Sequence, residues 1–142
     1  MVKTIKISVY SLVNPTERVE RVASAIERIF PGLVINIEDN RIEAHGGPDA
    51  IENFRKLLRE QRILDSARSV MFEGKIGNKI QFSLNKQAAF MGKLSFPPEE
   101  EPLGSIHVEI SGSEEIIDWL APRTREGRPI REIGLAEVSR DV

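Results

Sequence analysis

Apolar and polar residues alternate in several stretches of this chain, and this alternation constrains the fold more than any other feature of the sequence. From residue 3 to residue 13, Ile5, Ile7 and Val9 alternate with polar residues, which is the pattern of a strand that buries one face. The segment SIHVEIS at residues 105–111 repeats this pattern. A sheet built from such strands needs a second layer on its apolar face, and helices commonly supply it.

Apolar residues at helical spacing predict this second layer. They run from Val19 to Phe30, recur from Ile51 to Leu58, and recur again from Ile63 to Met71. The second and third patterns are either one continuous helix or two helices bent near Gln61. A further short helix is predicted in SEEIIDWLA, with Ser113 as its cap.

Two short signals indicate where these elements begin and turn. In the segment NPTE, Asn14 is a helix cap, Pro15 suits the first helical position, and Glu17 completes a capping box. The first helix is therefore predicted to begin at this segment. Asp39-Asn40 separates LVINIE from RIEAHG and predicts a hairpin between two strands.

Together these patterns predict the α+β class, as a two-layer domain with a mostly antiparallel sheet and helices packed on one face. The 142 residues correspond to about one domain. We assign residues 1–122 to this domain. Residues 123–142 are rich in Arg and contain Gly and Pro, so we expect them to form a C-terminal tail that is partly mobile.

Composition argues against several functional classes. The chain has no cysteine, so it has no disulfide, thiolate metal site or thiol nucleophile. His45 and His107 fall in strand patterns without the spacing of a zinc site, and no phosphate-binding loop or nucleophile motif occurs. We therefore expect no catalytic residues, no metal and no cofactor.

The start of the chain alternates instead of forming a continuous apolar run. This pattern argues against a signal peptide or a membrane span, so we expect a cytoplasmic protein without a membrane partner. The chain has 13 Arg and 7 Lys among 30% charged residues. Such a composition fits the surface of a thermophile protein, which is rich in ion pairs.

Basic residues concentrate in one part of the chain, although the net charge is −2. Between Arg55 and Lys93 there are nine basic and three acidic residues, and a second group of arginines follows residue 122. Such asymmetry suggests a polyanionic partner. Arg55, Arg59 and Arg62 share one helical face, which we expect to point outward and to contact phosphates. An ordinary solvated helix face is the alternative interpretation.

The stretch FSLNKQAAFMGKLSF places a polar triplet between two apolar segments. We predict that Asn85 and Gln87 satisfy backbone groups where a strand ends, and that Lys86 is exposed beside them. Lys86 would then join the basic surface, and the two amides would reach sugar or base edges. Trp119 is the sole tryptophan and is in step with apolar neighbours, so we predict that it lies in the core.

The predicted function is RNA binding without catalysis, through a basic surface. The predicted nucleic-acid contacts are the basic and amide residues Arg55, Arg59, Arg62, Arg68, Lys86, Gln87, Lys93, Arg123 and Arg125. The alternative is a protein-interaction or oligomerisation module with no nucleic-acid partner. In that alternative the charges serve solubility and thermal stability, and a second copy of the chain is one partner to consider.

Three segments of the chain resemble a known family. LREQRILDSARS (residues 58–69), LNKQAAFMGKLSF (residues 84–96) and DWLAPRTREGRP (residues 118–129) are similar to segments of small uncharacterised archaeal proteins. That family is distantly similar to predicted exosome-associated RNA-binding proteins, and its fold resembles a large-subunit ribosomal protein that contacts the smallest ribosomal RNA. The resemblance implies an α+β fold, RNA or an RNA-processing complex as partner, and no catalytic residues to transfer.

Overall fold

The alternating segments pair into one six-stranded sheet. The structure is a computed structural model that describes residues 5–96, 104–113 and 115–138. The sheet order is β2-β3-β1-β6-β5-β4, and all neighbouring strands are antiparallel. Its strands are β1 (Lys6–Leu12), β2 (Val34–Glu38), β3 (Arg41–Gly46), β4 (Lys75–Ile76), β5 (Lys79–Asn85) and β6 (Ser105–Ser111). The predicted hairpin at Asp39-Asn40 is confirmed, because β2 and β3 pair across it.

The helices form the second layer, which confirms the predicted α+β class. They are α1 (Val19–Ile29), α2 (Pro48–Glu60), α3 (Leu64–Glu73), α4 (Lys86–Phe90), α5 (Ile116–Leu120) and α6 (Leu135–Val138). The second and third helical patterns are two helices. The backbone of Arg62 has a φ of 55° between them, and a φ in this range interrupts a right-handed helix.

Cross-strand register assigns each residue of the sheet to one of two faces, because directly paired residues point to the same side. Ile7 pairs with Ile110, and both are fully buried against the helices. On the opposite face Tyr10 pairs with His107, which pairs in turn with Ser83. This opposite face, called here the open face, carries the polar half of the predicted alternation. Trp119 is 1% exposed, as predicted for a core residue.

The predicted start of the first helix is wrong. α1 begins at Val19, and the segment NPTE forms a turn before it. The side chain of Glu17 does reach back to the backbone N–H of Asn14 at 2.9 Å, as a capping box would require. The same carboxylate, however, also accepts a hydrogen bond from Lys86. This contact draws Glu17 toward the protein interior, and the helix begins two residues later.

The prediction that Lys86 is exposed is also wrong. Its side chain is 1% exposed, and its Nζ donates to the carbonyl oxygen of Leu12 at 2.6 Å and to Glu17 Oε1 at 3.0 Å. Burial raises the pKa of Glu17, but hydrogen bonds from Asn14 and Lys86 outweigh it and hold that pKa below its usual range. Asn85 behaves as predicted, since its side chain accepts a hydrogen bond from the Ala88 N–H and caps α4.

The segment after residue 122 contains secondary structure where a tail was expected. Two short strands, β7 (Thr124–Arg125) and β8 (Arg128–Pro129), pair as a hairpin, and α6 follows. Ile133 and Leu135 pack against the hydrophobic core. Residues 139–142 lie outside the described part of the chain. The mobility of this segment and the division at residue 122 stay predictions.

The buried ion pair between Lys86 and Glu17 leads to a first test. Replacing Lys86 with Met should lower the free energy of unfolding by about 3–5 kcal/mol, because it leaves a buried carboxylate without its cation. Urea unfolding measures this change, and Lys56→Met is the matched control, since that side chain is 71% exposed. In a double-mutant cycle, Glu17→Gln should lower the free energy of unfolding less in the Lys86→Met variant than in the wild type. A Lys86 variant as stable as the Lys56 control would contradict the structural role.

Candidate nucleic-acid interface

The arginines predicted to form an outward stripe on α2 instead hold the end of α5. Arg55 Nε donates to the carbonyl oxygen of Trp119 at 2.9 Å, and Arg59 Nη1 donates to that of Leu120 at 2.9 Å. Both guanidiniums also pair with Glu132. About a fifth of each side chain is exposed. The expectation that these residues point outward together is therefore wrong.

Arg68 extends the same arrangement from α3. Its Nη1 donates to the carbonyl oxygen of Ala121 at 3.0 Å and to Asp118 at 2.9 Å, and 17% of its side chain is exposed. The last carbonyls of a helix lack partners within it and carry partial negative charge. Cationic side chains satisfy them here, which explains why three predicted phosphate contacts face the protein.

One carboxylate, that of Glu132, pairs with both arginines of this cluster. The hydrogen bond from Arg59, together with the charges of Arg59 and Arg55, holds the pKa of Glu132 below its usual range against the opposing effect of burial. Burial and the neighbouring charge of Arg59 lower the pKa of Arg55. The cluster of Arg55, Arg59 and Glu132, called here the α5 clamp, thus joins α2 to the segment after residue 122.

A different set of basic residues lines an open groove between α1 and α4. The groove has a volume of about 480 Å³ and is lined by Thr16, Glu17, Arg18, Arg21, Gln87 and Phe90. A second depression of about 230 Å³ shares Arg21 and Phe90 with it and adds Ser24, Ala25 and Arg28. We call the two together the α1–α4 groove. Among the described residues that line it, Glu17 is the one acidic residue, and its carboxylate forms an ion pair with Lys86.

Contacts with α4 hold two of these arginines in place. The guanidinium of Arg21 lies over the ring of Phe90, with its Cζ 5.1 Å from the ring centroid. Arg28 Nη1 donates to the Phe90 carbonyl oxygen at 3.1 Å. Both side chains remain exposed, as does Arg18. The groove therefore presents guanidiniums whose positions are fixed on one side and open to solvent on the other.

Arg18, Arg21 and Arg28 were not among the predicted contacts, although the sequence contains a signal for them. Their spacing of three and seven residues places them on one side of a helix. Glu20 and Glu27 lie between these arginines in the sequence. The net charge of the segment is therefore low, although one side of the helix is basic. A helical projection of the charges would have found it.

The remaining predicted contacts are exposed but lie in different places. Gln87 lines the groove. Lys93 follows Gly92, where a Cβ atom would be 3.6 Å from Arg28 Nη1. Arg62 follows Gln61, whose side chain donates to the Gly92 carbonyl oxygen at 3.0 Å. Arg123 and Arg125 belong to the segment beyond α5. Their contact with nucleic acid stays a prediction.

The open face of the sheet carries a second group of polar side chains. Tyr10 and His107 stack with ring centroids 4.6 Å apart, and Arg41 covers the Tyr10 ring at 4.5 Å. Ser83 Oγ lies 2.9 Å from His107 Nδ1. Burial, together with the charges of Lys86 and Arg41, lowers the pKa of His107. This imidazole is consequently neutral near pH 7.

Two further features of the described residues bear on other functions. Across residues 5–96, 104–113 and 115–138, no group of three or more His, Cys, Asp or Glu side chains could hold a metal ion. In the same residues no helix is long and apolar enough to cross a membrane.

Comparison with known proteins identifies the family. The sequence model of a family described as RNA binding matches residues 6–111. A UPF0201 protein from Methanosarcina acetivorans is 36% identical over 157 aligned positions, which cover 96% of each chain. The chain belongs to the UPF0201 family. A UPF0201 protein from Saccharolobus solfataricus is 40% identical and covers 89% of this chain and 93% of its own. The predicted resemblance to an archaeal family is therefore confirmed.

Solved UPF0201 structures support the fold. A crystal structure from Methanococcus jannaschii has a TM-score of 0.78 and 35% identity, and the match covers 89% of this chain and 99% of that one. A longer relative from Archaeoglobus fulgidus, named a UPF0200/UPF0201 protein, is 36% identical over 137 residues, and this chain spans 42% of its length. Nothing in these similarities points to catalysis.

The α5 clamp leads to a second test. Arg59→Ala should lower the free energy of unfolding by about 1–3 kcal/mol, because the Leu120 carbonyl and Glu132 lose a charged donor. Hydrogen exchange should also become faster between residues 119 and 133, while the central strands keep their protection. Lys56→Ala on the same helix is the control and should change little. Unchanged exchange in the Arg59 variant would show that the clamp does not hold this segment.

The environment of His107 leads to a third test. A lowered pKa means that the unfolded chain binds a proton at this group more readily than the folded chain does. Its contribution to stability is therefore fully present above pH of about 6.5 and is lost as the pH falls through the lowered folded-state pKa. An NMR titration of the two histidines should show His107 titrating below pH 6.5, and in urea unfolding His107→Gln should reduce the dependence of stability on pH. A His107 signal that titrates at or above pH 6.5 would refute this environment.

Proposed function

We propose that this protein binds RNA without catalysing a reaction, and that the α1–α4 groove is where the phosphate backbone lies. The observation that carries the proposal is the alignment of Arg18, Arg21 and Arg28 along one open groove. The family description of RNA binding supports the same class of partner.

Guanidinium chemistry suits this role. Arginine donates two parallel hydrogen bonds to a phosphate, and its plane also stacks on an unpaired base. Arg21 already lies over Phe90, so little side-chain freedom is lost when it binds a ligand. A bound strand would meet donors that are oriented in advance, which lowers the entropic cost of association.

The surface beyond the groove extends the same chemistry. Lys93 and Arg62 are exposed. Lys93 comes directly after Gly92, which lies close to the Arg28 guanidinium. Arg62 comes directly after Gln61, whose side chain donates to the Gly92 carbonyl oxygen. Gln87 adds an amide that donates to sugar or base edges. We therefore propose a path for the strand from Arg18, along α1, toward Lys93 and Arg62. Its affinity would come from several phosphate contacts of similar strength.

Arginine substitutions in the groove test this function. Fluorescence anisotropy with a labelled single-stranded RNA gives the affinity of the wild type and of the triple variant Arg18→Ala, Arg21→Ala, Arg28→Ala at several salt concentrations. Each phosphate contact in single strands contributes about −0.7 to the slope of log K against log salt. Loss of three contacts should therefore flatten the slope by about 2 and weaken binding at low salt.

A matched control separates the groove from general surface charge. The triple variant Lys6→Ala, Lys56→Ala, Arg128→Ala removes three exposed basic residues outside the groove, so it should keep most of the affinity. Equal losses in the two triple variants would refute the groove as the site. Absence of RNA binding by the wild type would refute the function and favour the interaction module, which sedimentation velocity would then examine.

A further inference from the structure

A shallow depression lies on the open face of the sheet, where none of the helices in the described part of the chain lines it. Its volume is about 260 Å³, and its polar lining comes from Ser8, Tyr10, Gln81, Ser83, His107 and Glu109. This volume falls below the roughly 300–1,000 Å³ of sites for drug-sized ligands. It is suited to one flat ring system.

One side of the depression is an ordered aromatic wall. His107 stacks on Tyr10, with the two ring planes 25° apart, and Ser83 Oγ lies within hydrogen-bond distance of His107 Nδ1. These contacts fix the orientation of the imidazole. A fixed, neutral imidazole beside a cleft is a surface against which an unpaired base can stack.

The floor of the depression holds a carboxylate with spare accepting capacity. Lys79 Nζ contacts Glu109 Oε1 at 2.8 Å, and Gln81 Nε2 lies 3.5 Å from Oε2, at the limit of a hydrogen bond. An ionised carboxylate has about four lone-pair positions. Both oxygens of Glu109 can therefore accept further donors, while Lys79 holds the group in place.

We infer that this depression binds a guanine ring. Guanine presents N1–H and the exocyclic N2–H₂ side by side, and these two donors match the two oxygens of a carboxylate. Adenine, cytosine and uracil each place an acceptor next to their donor on that edge. The carboxylate would repel this acceptor atom. Glu109 selects the base, and the face of His107 that is turned away from Tyr10 stacks on its plane.

This inference does not rest on the α1–α4 groove, because a free guanosine is sufficient to occupy the depression. The same guanine chemistry can come from a free nucleoside or from an unpaired nucleotide of RNA. The groove lies on the helical side of the sheet and the depression on the open face. Each site can consequently be tested while the other is intact.

Nucleoside titrations of the full chain test the guanine site. NMR signals of His107 and of Tyr10, the sole tyrosine of the chain, report occupancy directly. Guanosine should shift both signals with saturation. Inosine, which lacks the N2 amino group, should bind about tenfold more weakly, and adenosine should give no saturable shift. Equal shifts with guanosine and adenosine, or no shift with either, would overturn the inference.

Two variants keep the side-chain shape and remove one charge each. Glu109→Gln should weaken guanosine binding by about tenfold or more, because the acceptor loses its charge. Glu73→Gln, at an exposed carboxylate outside the depression, should leave it unchanged. An unaffected Glu109 variant would overturn the assignment of the carboxylate.

The same titration distinguishes the two sources of guanine. A uridine hexamer with one central guanosine is compared with free guanosine, using the wild type and the triple groove variant. Tighter binding of the hexamer at the His107 signal identifies RNA as the source, and equal binding identifies the free nucleoside. Guanosine binding that survives in the groove variant supports this site even if RNA binding fails. Loss of guanosine binding in that variant would overturn the independence of the two sites.

Discussion

The ion pair between Lys86 and Glu17 is the interaction on which the helical side of this protein depends. It links the first residue of α4 to the turn that precedes α1, and the same ammonium reaches the last carbonyl of β1. The neighbouring residues Leu12 and Glu17 and the start of α4, about 70 residues later in the sequence, therefore meet at one buried charge. Because a buried charge must be paired to be tolerated, the relative positions of α1 and α4 are fixed, and so is the groove between them.

Arginine plays two opposite parts in this chain. In the α5 clamp, Arg55 and Arg59 satisfy the terminal carbonyls of a helix and are largely withdrawn from solvent. Along α1, Arg21 and Arg28 lie on the surface and contact α4 only at Phe90. The difference follows from what each helix packs against. α2 lies beside the end of α5, whose carbonyls attract cations, whereas the basic side of α1 borders an open groove.

The sequence predicts the layers of this fold well and its charged contacts poorly. Alternation and helical spacing report burial of apolar side chains, which depends on local periodicity, so the sheet and its helical cover could be inferred. The burial of Lys86 depends on its contacts with Glu17 and Leu12, which are about 70 residues away in sequence. No local sequence pattern contains that information. The same holds for Arg59 and Glu132, 73 residues apart. The sequence therefore predicts exposed basic residues at positions where the folded protein buries them against carboxylates and carbonyl oxygens.

These long-range contacts have a consequence for the order of folding. The hairpin of β2 and β3 closes over two residues, whereas the contact of Lys86 with Leu12 closes a loop of 74 residues. Loop closure of that length costs more conformational entropy, and contacts of high sequence separation form slowly. We expect a nascent chain to acquire the hairpin early and the α1–α4 groove late. During synthesis the sheet would therefore begin to form before the two sides of the α1–α4 groove are brought together.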